Sequence, residues 1–207
     1  MLDLKDFPIF ETLEDLTPEI NTVLWDMDGT ILNTETIHFA SIVELVSPPK
    51  DINEFQTYCH GKTDAEVLDR IKIENLMPPM DLKEFLEIKE VKFRELVSTK
   101  THDELVSPQI RLFLTRLKEQ GYKQAVVTSS ERMTTEYLLE KAGLDKFFDY
   151  VITREDTSEN KPSPAPYLHA MDLLKSNCHE VLIFEDSDVG HAAALSSGAR
   201  VRRALWY

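Results

Sequence analysis

Apolar and polar positions change rhythm along this chain. Thr22-Val23-Leu24-Trp25 is a short apolar run rich in β-formers that ends at Asp26, the pattern of a buried strand. From about Thr34 to Pro108 apolar residues recur at helical spacing, over 37–45, 65–71 and 82–97. Prolines at 48–49, 78–79 and 108 punctuate these helices. After Pro108 helix and strand alternate. Helices are predicted over 109–120, 131–142, 164–175 and 189–197, and strands over 124–128, 150–153 and 181–186. Repeated αβ units imply a parallel sheet with right-handed crossovers. The expected fold class is α/β, with a Rossmann-like parallel-sheet core from residues 1–33 and 108–207. A helical domain, residues 34–107, is inserted after the first strand. Residues 1–20 form an acidic, amphipathic lead-in, where Thr17-Pro18-Glu19 suits the start of a helical turn.

Charge and cysteine content narrow the function classes. The net charge of −14 argues against nucleic acid and anionic membrane as partners. It leaves anionic substrates open, because a bound divalent cation inverts the field locally. Two cysteines, Cys59 and Cys178, point to reduced thiols rather than a disulfide framework. The segment MLDLKDFPIF has neither a basic n-region nor an apolar h-region, and no apolar run approaches a membrane span. A cytoplasmic protein is expected, as a monomer or weak homodimer.

The candidate chemistry lies at the strand ends. Asp26 and Asp28 follow the first strand two residues apart, and Gly29 permits a sharp turn there. In open α/β sheets this edge is where ligands bind. One acid can attack while the other moves protons. Asp-x-Asp-Gly also occurs in calcium loops, with Glu35 falling at position twelve. Leu24 at position one offers no side-chain oxygen, and a strand stands where a helix is needed. Thr128-Ser129-Ser130 can hold phosphate oxygens at a helix N-terminus or simply cap the helix. Lys161, in Asn160-Lys161-Pro162-Ser163-Pro164, can neutralise a phosphoryl group or a carboxylate. Glu185-Asp186-Ser187-Asp188 crowds acids at a strand end, which is costly without a cation and suits Mg²⁺.

Taken in order, Asp26-Met27-Asp28-Gly29-Thr30, Thr128-Ser129-Ser130, Lys161-Pro162 and Glu185-Asp186-Ser187 resemble the haloacid dehalogenase superfamily. The chain looks closest to its β-phosphoglucomutase-like and phosphoglycolate phosphatase-like branch. The small-residue stretch from Gly190 to Ala194 is similar to that branch, and the helical insertion matches its cap domain in size and position. The resemblance implies Asp26 as nucleophile, Asp28 as general acid and base, Thr128 as phosphoryl holder and Lys161 as neutralising cation. Gly29, Thr30, Ser129 and Ser130 would line the phosphate site. Mg²⁺ would bind Asp26, the backbone carbonyl of Asp28, Asp186 and also Glu185. A carboxylate at position 28 favours phosphatases and phosphomutases, because dehalogenases and P-type ATPases lack one there.

In the insertion, Gly61-Lys62-Thr63-Asp64 resembles the cap loop that reaches the active site. Lys62 is the candidate for a remote anionic group of the substrate, with a solvated lysine as the alternative. The β-phosphoglucomutases carry an arginine where this chain has Asp64, which favours a phosphatase. His38, twelve residues after Asp26, either packs at the hinge or joins catalysis. Hinges are expected at Thr34–Glu35 and at Ser107–Pro108. The basic C-terminal run from Arg200 is not expected to touch the chemistry. The leading expectation is a Mg²⁺-dependent phosphatase acting on a small phosphorylated metabolite, a sugar phosphate or phosphoglycolate-like compound. A hexose-phosphate mutase and a non-catalytic phosphometabolite-binding module are the alternatives.

Overall fold

The structure, a computed structural model, describes residues 18–59 and 62–204. The lead-in over 1–17 lies outside the described residues, and Pro18–Glu19 form a turn. Two compact units emerge. One takes the chain up to Asn33 and again from Thr101, and the other is Thr34–Lys100.

In the first unit, strands β1 (Thr22–Trp25), β2 (Lys123–Val127), β3 (Tyr150–Ile152), β4 (Val181–Glu185) and β5 (Arg200–Arg203) form one sheet in the order β3-β2-β1-β4-β5. All pairings are parallel. Central strands β1 and β4 are buried along their whole length, as expected where helices cover both faces. On one face Leu24, Val127 and Ile183 pack with Tyr167, Ala170 and Met171 of a helix spanning Ala165–Leu174. On the other, Trp25 stacks on Phe184 at 4.6 Å and meets Phe113 edge-on at 5.7 Å. The Trp25 indole N–H donates to Gln124 Oε1, and the Gln124 amide donates to the Leu114 carbonyl, so buried polar atoms there have partners.

Register positions the site. Trp25 lies beside Val126 and Phe184, so Asp26 comes level with Val127 and Glu185 at the C-terminal edge. Strand β5 has one sheet neighbour and is exposed at Arg200, Arg202 and Arg203. An edge position explains why so basic a segment is a strand.

The second unit comprises α1 (Glu35–Val43), α2 (Ile52–Cys59), α3 (Asp64–Ile73) and α4 (Leu82–Ser98). Ile42, Phe55, Val67, Leu68, Ile71 and Phe85 form its core. Helix α2 buries only Phe55, too few apolar residues for its period to show in the sequence. Thr63 and Glu66 close a capping box on α3. His38 stacks on Phe93 at 4.1 Å, the packing role among its two expected ones. Helix α5 (His102–Leu105) falls in the first unit, so the compact boundary precedes Ser107. There follow α6 (Pro108–Glu119), α7 (Arg132–Lys141), α8 (Ala165–Leu174) and α9 (Asp188–Ser196). No described helix is long and apolar enough to cross a membrane.

Candidate active site

Beyond β1 the chain folds tightly around Met27. Its carbonyl accepts from the N–H groups of Thr30, Ile31 and Leu32. Gly29 takes φ of +75°, a conformation open to glycine at little cost. The turn sets Asp26 and Asp28 at the sheet edge, and Asp26 is buried.

Lys161 is the centre of the constellation. Its ammonium donates to Asp26 Oδ1 at 2.6 Å and to Glu185 Oε1 at 2.6 Å, and its side chain is 4 % exposed. It lies 5.0 Å from the centre of the Tyr167 ring. The Tyr167 hydroxyl donates to Glu185 Oε1 at 3.1 Å, while Ser187 donates its N–H and hydroxyl to Glu185 Oε2 at 3.1 and 3.0 Å. Both oxygens of Glu185 are thus held from three sides, with no solvent exposure. Helix α9 approaches so closely that a Cβ on Gly190 would lie 1.6 Å from Glu185 Oε1. Glycine is required there by space.

Asp26, Glu185 and Asp186 bring carboxylate oxygens within 4.8 Å of one another. Burial lifts the Asp26 carboxyl well above the ordinary carboxylate range. Glu185 and Asp186 add to the rise, and Lys161 opposes it. Burial also disfavours charge on Lys161, but Asp26, Tyr167 and Glu185 outweigh it and hold the ammonium well above its usual pKa. Fully ionised, three carboxylates around one ammonium leave two negative charges uncompensated. A hard divalent cation fits that surplus and that oxygen donor set. Thr30 donates its hydroxyl to Asp186 Oδ1 at 3.1 Å, which orients one carboxylate toward the cluster.

Beyond β2, Thr128 is buried and its hydroxyl accepts the Ser130 N–H at 3.0 Å. The Ser130 hydroxyl donates to Asp28 Oδ2 at 2.7 Å. Ser130, expected among the phosphate ligands, therefore stands here as a partner of Asp28. None of Thr128, Ser129 and Ser130 caps α7. Glu131 is at its N-cap without a side-chain bond, and the Arg132 N–H is taken by Glu155 at 3.1 Å.

Lys62 belongs to the other unit, where its ammonium binds Glu66 at 2.9 Å. Asp64 pairs with Lys89. Three residues were given no role by the sequence reading, although Ser187 stood in one of its motifs. Tyr167 sits on an apolar helix face, Ser187 reads as an ordinary N-cap, and Arg203 binds the Asp186 carbonyl and Asp188 Oδ1, both at 2.7 Å. The last contact corrects the expectation that the basic C-terminal run stands apart from the chemistry. An edge strand ending beside the acidic loop brings it there.

Residues 23–204 match the family described as haloacid dehalogenase-like hydrolase. A pyrophosphatase, PpaX of Bacillus cereus (strain Q1), is 32 % identical, the match covering 91 % of this chain and 84 % of that protein. Among solved structures, a predicted phosphoglycolate phosphatase of Haemophilus somnus superposes with a TM-score of 0.73 at 22 % identity, covering 89 % of this chain and 85 % of that one. A β-phosphoglucomutase of Clostridium difficile gives 0.72 at 21 %, covering 88 % and 83 %. The latter two likenesses speak to fold. With the family match spanning nearly the whole chain, the protein belongs to the haloacid dehalogenase-like hydrolases and is a phosphoric-ester hydrolase among them.

Proposed function

We propose that this protein is a Mg²⁺-dependent phosphatase of a small phosphorylated metabolite, working through an aspartyl-phosphate on Asp26. The observation that carries the reading is the Lys161 ammonium wedged between Asp26 and Glu185, with Asp186 beside them. Lys161 grips Asp26 Oδ1, so the attack on phosphorus is assigned to Oδ2. As that bond forms, the bond from phosphorus to the leaving oxygen breaks, and Asp28 supplies the proton. Asp28 then takes a proton from water, the water oxygen attacks phosphorus, and the acyl-phosphate bond to Asp26 breaks to free inorganic phosphate. Ser130 donates to Asp28, holding that carboxylate in one orientation. General acid–base help from Asp28 is worth roughly 10²–10⁴-fold in rate. Thr128, Ser129, Gly29 and Thr30 are assigned to the transferring phosphoryl group.

Asp26, the Asp28 carbonyl and Asp186 would hold Mg²⁺, with Glu185 nearby as anchor of Lys161. When bound, the ion supplies charge neutralisation for an anion attacking an anion. The unit Thr34–Lys100 is assigned the role of substrate-selecting cap to the core formed by the other unit, with hinges at Thr34–Glu35 and in the connection between Lys100 and Pro108. Lys62 is its proposed contact to a remote anionic group, which would replace Glu66 as the ammonium's partner. Asp64, committed to Lys89, offers no cation for a second phosphate, which favours phosphatase over mutase. The site is proposed to act in the cytoplasm, without nucleic acid or membrane partners, in a monomer or weak homodimer.

The test is phosphate release from sugar phosphates, phosphoglycolate, nucleotides and pyrophosphate, with Mg²⁺ or EDTA, for wild type and Asp26→Asn. Pyrophosphate is included because relatives at 31–32 % identity are pyrophosphatases. Mg²⁺-dependent release lost in Asp26→Asn is expected. Release that survives either EDTA or Asp26→Asn overturns the mechanism, and isomer formation without phosphate would favour the mutase.

A further inference from the structure

The C-terminal edge strand is basic beyond what an edge needs, and its last residue reaches the acidic loop. Arg203 lies level with Glu185 in the β4–β5 register. The Ala204 N–H donates to the Glu185 carbonyl at 2.8 Å, which extends the pairing past the strand end. From that fixed base the Arg203 guanidinium spreads across the loop, with one nitrogen on the Asp186 carbonyl and another on Asp188 Oδ1, each at 2.7 Å. Asp186 is thereby clamped twice. Thr30 orients its carboxylate, and Arg203 holds its main chain against the first turn of α9.

We infer that Arg203 is a positioning residue for the metal site, which sets divalent-cation affinity by fixing the Asp186 backbone. This rests on the proposed Mg²⁺ site. Asp188 is 94 % exposed, so its ion pair with Arg203 adds little stability. The bond to the Asp186 carbonyl has a different consequence, because outer-shell partners hold a ligand within the narrow range a cation tolerates. A planar guanidinium holds its two donors at a fixed spacing against carbonyl and carboxylate, whereas a lysine ammonium is a compact point charge on a flexible stem. Position and charge act in opposite senses. A cation beside a metal site repels the metal, so removing it tightens binding if charge is all that matters. Removing a clamp loosens binding.

Mg²⁺ binding is measured by titration calorimetry for wild type, Arg203→Gln, Arg203→Lys and Asp186→Asn, with thermal unfolding of each metal-free protein. The clamp predicts that Arg203→Gln and Arg203→Lys both raise the Mg²⁺ dissociation constant, by about tenfold. Melting temperatures should stay near wild type, since Arg203 is 36 % exposed. Tighter binding by Arg203→Gln with Arg203→Lys unchanged would show a charge effect and overturn the clamp. Wild-type affinity in both would overturn it equally, as would a large loss of stability with affinity unaltered. If wild type itself binds no Mg²⁺, the metal-site reading fails and Arg203 falls with it. If wild type binds and Asp186→Asn does not, that reading stands and the Arg203 variants decide alone.

Discussion

Substituting Gly190 should reverse the usual sign of a helix mutation. Gly190 lies in α9, where alanine ordinarily gains about 1 kcal/mol over glycine. Here the new Cβ would sit 1.6 Å from Glu185 Oε1 and 2.0 Å from its Cδ. The carboxylate cannot move aside without leaving Lys161, Tyr167 and Ser187. Breaking such a buried charged network costs about 3–5 kcal/mol. Set against the propensity gain, Gly190→Ala should lose about 2–4 kcal/mol. At roughly 2–4 °C per kcal/mol for a chain of this size, melting falls by about 4–16 °C. Glu185→Ala removes the clash. In that background Gly190→Ala should stabilise, by about 1 kcal/mol. Thermal and urea unfolding of the four proteins closes the cycle. Gly190→Ala that is neutral or stabilising in both backgrounds would refute the claim that α9 is pressed against the Glu185 carboxylate.

Asp28→Asn keeps the shape of the side chain but removes the proton carrier. Turnover should drop by roughly 10²–10⁴-fold with Mg²⁺ affinity nearly unchanged, and stopped-flow with calorimetry separates the two. An unchanged turnover would reassign the acid. Burial pushes the Cys59 thiol up to about 11, against the opposing pull of Lys89 and Arg70. A raised thiol pKa means less thiolate below it, so at pH 8 only about one Cys59 in a thousand is ionised. Iodoacetamide labelling followed by mass spectrometry should find Cys59 slow at pH 8 and faster as pH rises toward 11. Labelling of Cys59 at the rate of a free cysteine peptide at pH 8 would refute the burial argument.

Much of this protein is legible in its sequence. The order of apolar runs predicts the strands β1 to β4, because β1, β2 and β4 are buried along most of their length and the edge strand β3 still carries a short apolar run. Asp26, Asp28, Thr128, Glu185 and Asp186 were legible as candidates because they lie at or just beyond strand ends, which a parallel sheet aligns at one edge, and Lys161 because it stands in the loop that follows β3. What a side chain does once there was not legible. Ser130 was a phosphate ligand or a cap by sequence, and three dimensions put its hydroxyl on Asp28. Gly190 was one small residue among several until the Glu185 carboxylate filled the space beside it. Tyr167 and Arg203 carry no local signal, since their partners lie 18 and 17 residues away. Sequence by itself determined strands β1 to β4, the helices with a clear apolar period, their order and the residue types at the sheet edge, because hydrophobic periodicity and turn chemistry are local, while the weakly apolar α2, the short α5 and the basic β5 escaped it. Tertiary structure decided which oxygen meets which proton, because such pairings depend on register and on the approach of α8, α9 and β5 from distant parts of the chain.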